Sequence, residues 1–387
     1  MLFILFLIIL LLLIILYRQV HTNKNYLLCC LFIFFIFIFV HNIKISTLSV
    51  ISGCKLWFNS IFPTLFPFLV ICNLLITFDG IKLFSKLIGP LLCKPLNLSK
   101  NCSFALVASF LCGYPLGAKY SSDLYNQKYI EQKEYTNLLN IASNCSPLFI
   151  IGTIGSSLLG NIKAGYFLLL GNYISIIIMG FILKSKEKDQ NHIEFIEKDS
   201  NKNFGDALKD SISSALSTTL SVGGFIILFC VIINIIKNNA YISIIFYQIE
   251  DYLNISKDLL YSLFLGCIEI TNGCDLISKL NVDYSLKLSL ISFLCSFSGL
   301  SIIAQTTSFT SKHEISVIRY SLLKLVQGGL SFIVTFLLSK ISIFSIATLN
   351  ICISENYNIV SFWYIPIIII VLLFSFLKIL DKLFHIS

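Results

Sequence analysis

The chain has 387 residues, of which 56% are hydrophobic and only 12% charged, with a mean hydropathy of +0.86. Ordinary soluble domains are about one-quarter charged, so a soluble globular protein is excluded. The net charge of +8 comes almost wholly from lysine, and its scattered placement suits loops and lipid headgroups, not nucleic acid.

Several apolar segments reach the roughly 20 residues that cross a hydrocarbon core, and alternating barrel strands are absent. The expectation is an all-α polytopic membrane protein with about 8–11 transmembrane or re-entrant helices in two repeats, related by inversion. The opening "MLFILFLIILLLLIILYRQ" lacks a basic n-region and a small-residue cleavage site, so it reads as a retained helix over 2–18. Helices follow at 26–43 and 53–78, then a loop at Asp79-Gly80 and an amphipathic stretch to Gly89-Pro90. Residues 101–160 are interrupted by small and polar side chains, whereas 162–183 is a clean span. The run "KSKEKDQNHIEFIEKDSNKN" reads as a solvated linker. Apolar segments resume at 212–236, 240–249, 258–270, 285–305, 316–340 and 360–380. The division is therefore 1–45, N-terminal helices; 46–183, first repeat; 184–204, linker; and 205–387, second repeat with a C-terminal helix. Charge placement leaves the in/out orientation open, and homo-oligomerisation with it.

The two halves share an order of interruptions. Gly53 recurs as Gly205, 152 residues on, and Pro147 falls opposite Gly299 at the same spacing. With one gap, Gly113 falls opposite Gly266. Paired interruptions at corresponding places in two halves point to a transporter's binding site.

Four broken segments hold the candidate residues. In the first, Gly113, Tyr114, Pro115 and Gly117 precede Lys119. Proline has no N–H, and unsatisfied backbone belongs where protein or a wet cavity covers it. Lys119 then either lines that cavity or snorkels to the headgroups. In the second, Ser143, Asn144, Ser146, Pro147 and Phe149 make a polar wall, a re-entrant tip or a kinked helix. Pro147 leaves the Ser143 carbonyl without its helical partner. In the third, Glu269 stands in an apolar run with Thr271 and Asn272 after it. A membrane carboxylate faces a cavity, pairs with a cation or carries a proton, unless the segment ends early and leaves it at the interface. It is the candidate coupling group. In the fourth, Ser298 and Gly299 form a small-residue tip with Gln305 two turns on; helix packing is the rival reading. Lys324 and Gln327 face the same cavity or mark an interface.

Thirteen cysteines include no CxxC pair and lie mostly in apolar runs, where free cysteine packs as a small hydrophobe. The histidines His21, His41, His192, His313 and His385 are far apart in sequence. No metal, cofactor, catalytic constellation or enzyme activity is expected.

Together "KLWFNSIFPTLFPFL", "GYPLGAK", "CSPLFIIGTIG", "EITNG" and "GLSIIAQ…KLVQGG" resemble the YlbJ-type (SpoVV) sporulation integral membrane proteins, within the group carrying nucleoside-recognition Gate segments. The likeness runs over about 46–340, in order. It implies a transporter needed for spore formation, moving dipicolinate from mother cell toward forespore across the outer forespore membrane. That ligand is a dianion and calls for a cation or N–H dipoles beside an aromatic wall. Two other classes stay open: a transporter of a nucleoside or another metabolite, and a non-transporting scaffold in spore assembly.

Overall fold

The computed structural model describes residues 24–183 and 203–341, apart from 97, 254 and 314. The helices expected at 2–18 and 360–380, and nearly all of the charged linker, lie outside the described residues. The first half opens with α1 (Lys24–His41), α2 (Ile43–Leu56), a π-helical turn (Trp57–Ile61), α3 (Phe62–Thr77), α4 (Gly80–Leu87) and α5 (Gly89–Leu92). It continues with α6 (Ser103–Cys112), α7 (Leu116–Asn126), α8 (Gln132–Ile141), a π helix (Leu148–Leu158) and α9 (Ile162–Ile182). The second half contains α10 (Phe204–Lys237), α11 (Ala240–Leu253), α12 (Lys257–Ile268), α13 (Ile270–Lys279), α14 (Tyr284–Phe297), α15 (Gly299–Thr310) and α16 (Val317–Lys340).

This is an integral membrane protein. Among the described residues four helices are long and apolar enough to cross a membrane, or up to six if each bent pair is one span. In each half two broken helix pairs precede a long helix: α6/α7, α8/π and α9 in the first, α12/α13, α14/α15 and α16 in the second.

Sequence patterning and structure differ at two places. The apolar run over 212–236 is the inner part of α10, which begins at Phe204. Its polar first turns are mostly exposed; Ala207 and Ser211 are buried, and Asn73 of α3 donates to the Ser211 carbonyl at 3.3 Å. The spans read at 258–270 and 285–305 each divide, at Glu269 and at Ser298.

Closing helix α16 shows how the bilayer sorts side chains. Leu322, Leu325, Val326, Ile333 and Leu337 are exposed, while Tyr320, Lys324, Gln327, Ser331 and Thr335 are buried on the opposite stripe. Polar groups inside lipid must find partners within the protein. Ser331 Oγ and Ser292 Oγ lie 2.6 Å apart, and Thr335 Oγ1 donates to Ser292 Oγ at 2.7 Å. Asn172 on α9 donates to Ser292 at 3.3 Å and accepts from Ser296 Oγ at 2.6 Å. This ladder ties α9 of one half to α14 and α16 of the other.

Close backbone approach decides one glycine. A Cβ on Gly117 would stand 1.5 Å from the carbonyl oxygen of Ala142, whereas one on Gly329 meets nothing within 4 Å. Overpacking of this kind costs on the order of 1–3 kcal/mol, and an alanine in an open helical position gains up to about 1 kcal/mol. Gly117→Ala should therefore lower the melting temperature in detergent by several degrees, while Gly329→Ala leaves it level or higher. Equal melting of the two variants would contradict the contact.

Candidate functional site: the junction of the breaks and its cavity

The first break is a division between two helices, not a kink in one. α6 ends at Gly113, whose φ of 75° with ψ of −162° suits glycine, and Pro115 precedes the first turn of α7. The N–H of Tyr114 donates to the carbonyl of Asn144 at 2.7 Å, so breaks one and two meet backbone to backbone. A Cβ on Gly113 would stand 2.5 Å from the amide nitrogen of Ser146. Pro147 opens the π helix; Ser146 Oγ caps it by accepting from the Phe149 N–H at 3.2 Å, and Phe149 packs against the core.

The carbonyl of Ser143, which Pro147 deprives of a helical partner, receives a hydrogen bond from Lys324 Nζ on α16. Tyr320 OH donates to Ser143 Oγ at 2.7 Å, and Gln327 Nε2 to Asn144 Oδ1 at 3.1 Å. Break two of the first half is thus held by three consecutive inward-facing residues of the second.

Breaks three and four meet in the same way. A Cβ on Gly299 would lie 3.2 Å from the Gly266 carbonyl and 3.3 Å from those of Cys267 and Ile268. The carbonyl end of α12 therefore abuts the N-terminus of α15, a favourable dipole alignment. Ser298 is buried at φ 80°, and Gln305 is buried with Nε2 3.5 Å from Ser301 Oγ. The thiols complete the convergence. Cys295, before break four, is in side-chain contact with Cys145 of break two and Cys274 beyond break three. Tyr114 of break one places its hydroxyl against Cys145. Among the described residues no three His, Cys, Asp or Glu side chains are placed to hold a metal ion.

Two charged candidates are held by near neighbours and not by the opposing breaks. Glu269 is the cap of α13, accepting from Thr271 N at 3.0 Å, Asn272 N at 2.9 Å and Asn272 Nδ2 at 2.8 Å. Neither Lys119 nor Lys324 bonds to it; the lysine whose field it shares is Lys237, which donates to Asn272 Oδ1. Lys119 is buried, donating to Asp123 Oδ2 at 2.9 Å and Asn73 Oδ1 at 3.4 Å.

Lys119 lines a cavity of about 340 Å³ between the halves. Asn73 and Thr77 of α3, Ser122 and Asp123 of α7 and Gln127 just after it wall one side. Asp210, Ser211, Ser214 and Thr218 of α10 wall the other, with Phe309 of α15 at the edge. Ser211 Oγ is buried there without a hydrogen-bond partner. Sequence reading passed over Asp210 and Ser211, which precede the apolar run, and Ser214 and Thr218 inside its start; the four-residue spacing from Asp210 to Ser214 and Thr218 was the available signal.

Residues 58–183 match the family model described as Gate, nucleoside recognition. The Gate segment thus spans both breaks of the first half and closes with α9. Over 311 residues the chain is 26% identical to the sporulation integral membrane protein YlbJ of Bacillus subtilis (strain 168), covering 75% of this chain and 76% of that protein. This agrees with the resemblance carried by the five motifs. Among solved structures, CNTnw in an outward-facing state and in an inward-facing substrate-bound state resemble 82% of this chain and 85% of theirs. Identities are 17% and 16%, and TM-scores 0.38 and 0.39. So distant a likeness leaves the site to be read from this chain's own contacts.

Beside the Gate segment's α7, His313 lies in the connection between α15 and α16, outside the spans. Its Nε2 is 3.0 Å from Ser122 Oγ, and its ring meets Tyr125 and Tyr135 edge-on at 4.9 and 5.3 Å. Desolvation first, and the Lys312 charge second, lower its pKa below the usual histidine value of 6.5. The folded protein therefore binds fewer protons than the unfolded chain between these two values. Its contribution is present above about pH 6.5 and is lost as pH falls through the folded value. Melting temperature should drop between pH 7.5 and 5.5, and less so for His313→Gln. Parallel curves for the two proteins would refute this.

Proposed function

We propose that the protein carries a small polar organic solute across a membrane of a sporulating cell, through the cavity that adjoins the junction of the breaks. Supporting this is one observation above all. Breaks one and two meet backbone to backbone, as do breaks three and four, inside an otherwise apolar protein, and one turn beyond break one Lys119 enters a polar cavity walled by both halves. A scaffold has no use for this, since each buried polar group costs free energy unless it is paired. The sporulation role rests on the similarity to YlbJ.

Dipicolinate is the solute implied by the motif resemblance, with passage from mother cell toward forespore across the outer forespore membrane. Lys119 is the cation in the cavity that can meet its carboxylates; Tyr114 and Phe149 are the aromatic groups that the broken segments offer, and the ring beside Lys119 Nζ is that of Tyr120, at 4.6 Å to its centroid. For a dianion to bind, Asp123 has to release Lys119, since the two carboxylate partners compete for one ammonium group. A second reading is favoured by the cavity's hydroxyls, which come from Thr77, Ser122, Ser211, Ser214 and Thr218 and lie beside the Lys119–Asp123 ion pair. Such a lining suits an uncharged hydroxyl-rich solute such as a nucleoside, in keeping with the description of the Gate family model.

Purified protein in liposomes should take up labelled dipicolinate, and excess unlabelled uridine should not compete. Lys119→Ala should weaken dipicolinate uptake by about 10- to 100-fold, as expected for the loss of a charge-assisted contact, and Lys119→Arg by less. Asp123→Asn separates the readings: it should raise the affinity for dipicolinate by freeing Lys119. If it instead lowers uptake, and uridine competes, the uncharged solute is the cargo. No uptake of either by well-folded protein would refute transport.

We also propose that the halves are related by inversion, as an odd number of crossings between their starts requires. Glu269 belongs to the second half's counterpart of break one. As a cap, its truncation to alanine should cost about 0.5–2 kcal/mol, whereas Glu269→Gln keeps an acceptor and should fold. Gradient-driven uptake by Glu269→Gln at the wild-type rate would remove Glu269 from any coupling role.

A further inference from the structure

The buried lysine of the junction is Lys324, whose hydrogen bond to the Ser143 carbonyl needs an N–H donor but no charge. Its side chain is fully buried, at 0% exposure, on the inward stripe of α16. Its two hydrogen-bond acceptors are the Ser143 carbonyl and Gln327 Oε1, the latter at 2.7 Å. Neither is charged. An ammonium group has three N–H donors and a neutral amine has two. The shell around Nζ therefore matches the neutral amine and leaves the third N–H of the ammonium form without a partner.

The surroundings add no counter-charge. Cys145 of break two is the ionisable group that faces Lys324 across the junction, and Tyr320 stands one turn away on its own helix, engaged with Ser143. The helices packed against α16 carry Lys133 and Glu134 on α8, Lys163 on α9 and Lys287 on α14, none of which bonds to Lys324. Lys287 donates instead to the Ser278 carbonyl, and Glu134 accepts from the Ser99 N–H. Among the described residues no carboxylate bonds to Lys324, so the groups around Nζ hold either protonation state by hydrogen bonds alone.

We propose that Lys324 is a proton-binding site that couples solute movement to a proton gradient, a reading that rests on the transport function proposed above. The proton comes from water on one side, adds to the lone pair of Nζ, and returns to water on the other side; no other bond changes. Protonation places a third N–H and a full charge beside the Ser143 carbonyl. That carbonyl belongs to the segment whose Asn144 oxygen holds Tyr114, and Tyr114 leads through Pro115 into α7, which carries Lys119 into the cavity. A change of charge at Lys324 thus reaches the cavity through two hydrogen bonds and one helix.

The test uses full-length protein in liposomes that enclose a pH-sensitive dye, with dipicolinate and uridine each as the solute probe. Wild type should exchange internal for external solute without a gradient. It should also accumulate solute several-fold under an imposed difference of one pH unit, with the dye reporting proton movement. Lys324→Gln, uncharged yet still able to donate to the Ser143 carbonyl, should bring accumulation down to about onefold, read as the ratio to its own exchange rate. Lys324→Arg, permanently charged, should lose accumulation too. Gradient-driven accumulation by Lys324→Gln equal to wild type overturns the proposal. So does joint loss of exchange and accumulation in variants that are monodisperse and melt like wild type, since Lys324 would then hold solute or structure. Should Lys324→Gln fail to fold, the wild-type dye signal decides, and solute influx without proton movement overturns the proposal. A wild type that exchanges neither solute sinks the transport reading itself and this proposal with it, a result distinct from exchange without coupling.

Discussion

Backbone groups that a helix break releases inside a membrane have no water to turn to, and the rest of this structure is organised around satisfying them. The carbonyls of Ser143 and Asn144, freed ahead of Pro147, are taken by a lysine from the other half and by the amide of Tyr114 in the other break. Each unsatisfied group would cost several kcal/mol in hydrocarbon, more than a typical hydrogen bond contributes in water. Break one therefore cannot exist without break two, nor break two without α16. This mutual need draws the halves together where neither has a continuous apolar helix.

The same constraint explains why small residues gather at the junction. Backbone can satisfy backbone only at short range, so side chains must be absent where chains meet. Gly113 lies against Ser146, Gly117 against Ala142 and Gly299 against the carbonyl end of α12. The three thiols of Cys145, Cys274 and Cys295 fill the remaining space as small, weakly polar groups. Outside this zone the interior is an apolar core with a ladder of serine, threonine and asparagine across α9, α14 and α16. Such interhelical bonds are worth roughly 0.6 kcal/mol each in membrane proteins, so they fix register more than they drive association. At the cavity beside Lys119, Ser211 Oγ is buried without a hydrogen-bond partner.

Charge placement follows from what each lysine finds within reach. Lys119 has a carboxylate one turn along its own helix and forms an ion pair with it. Lys324 has no acidic neighbour among the described residues of α16 and settles on a carbonyl and an amide. Glu269, the most conspicuous membrane charge in the sequence, meets the N–H groups of the helix that follows it and becomes a cap. Three buried or half-buried charges thus arrive at three different solutions.

Composition and pattern alone determined the class of protein, because 56% hydrophobic and 12% charged residues leave a helical membrane protein as the way to satisfy the backbone. They also located all four breaks, since proline, glycine and clustered small polar residues mark helix ends wherever the chain goes. The resemblance to a sporulation membrane family was carried by the same interrupted segments, and the match over 58–183 and the similarity to YlbJ agree with it. Pairing was decided by tertiary structure. Whether Lys119 is free, whether Glu269 meets a lysine, and which group answers the Ser143 carbonyl depend on contacts separated by 181 residues in the last case. Local sequence states that a donor or acceptor is left over; only the packing of one half against the other brings its partner within hydrogen-bonding distance.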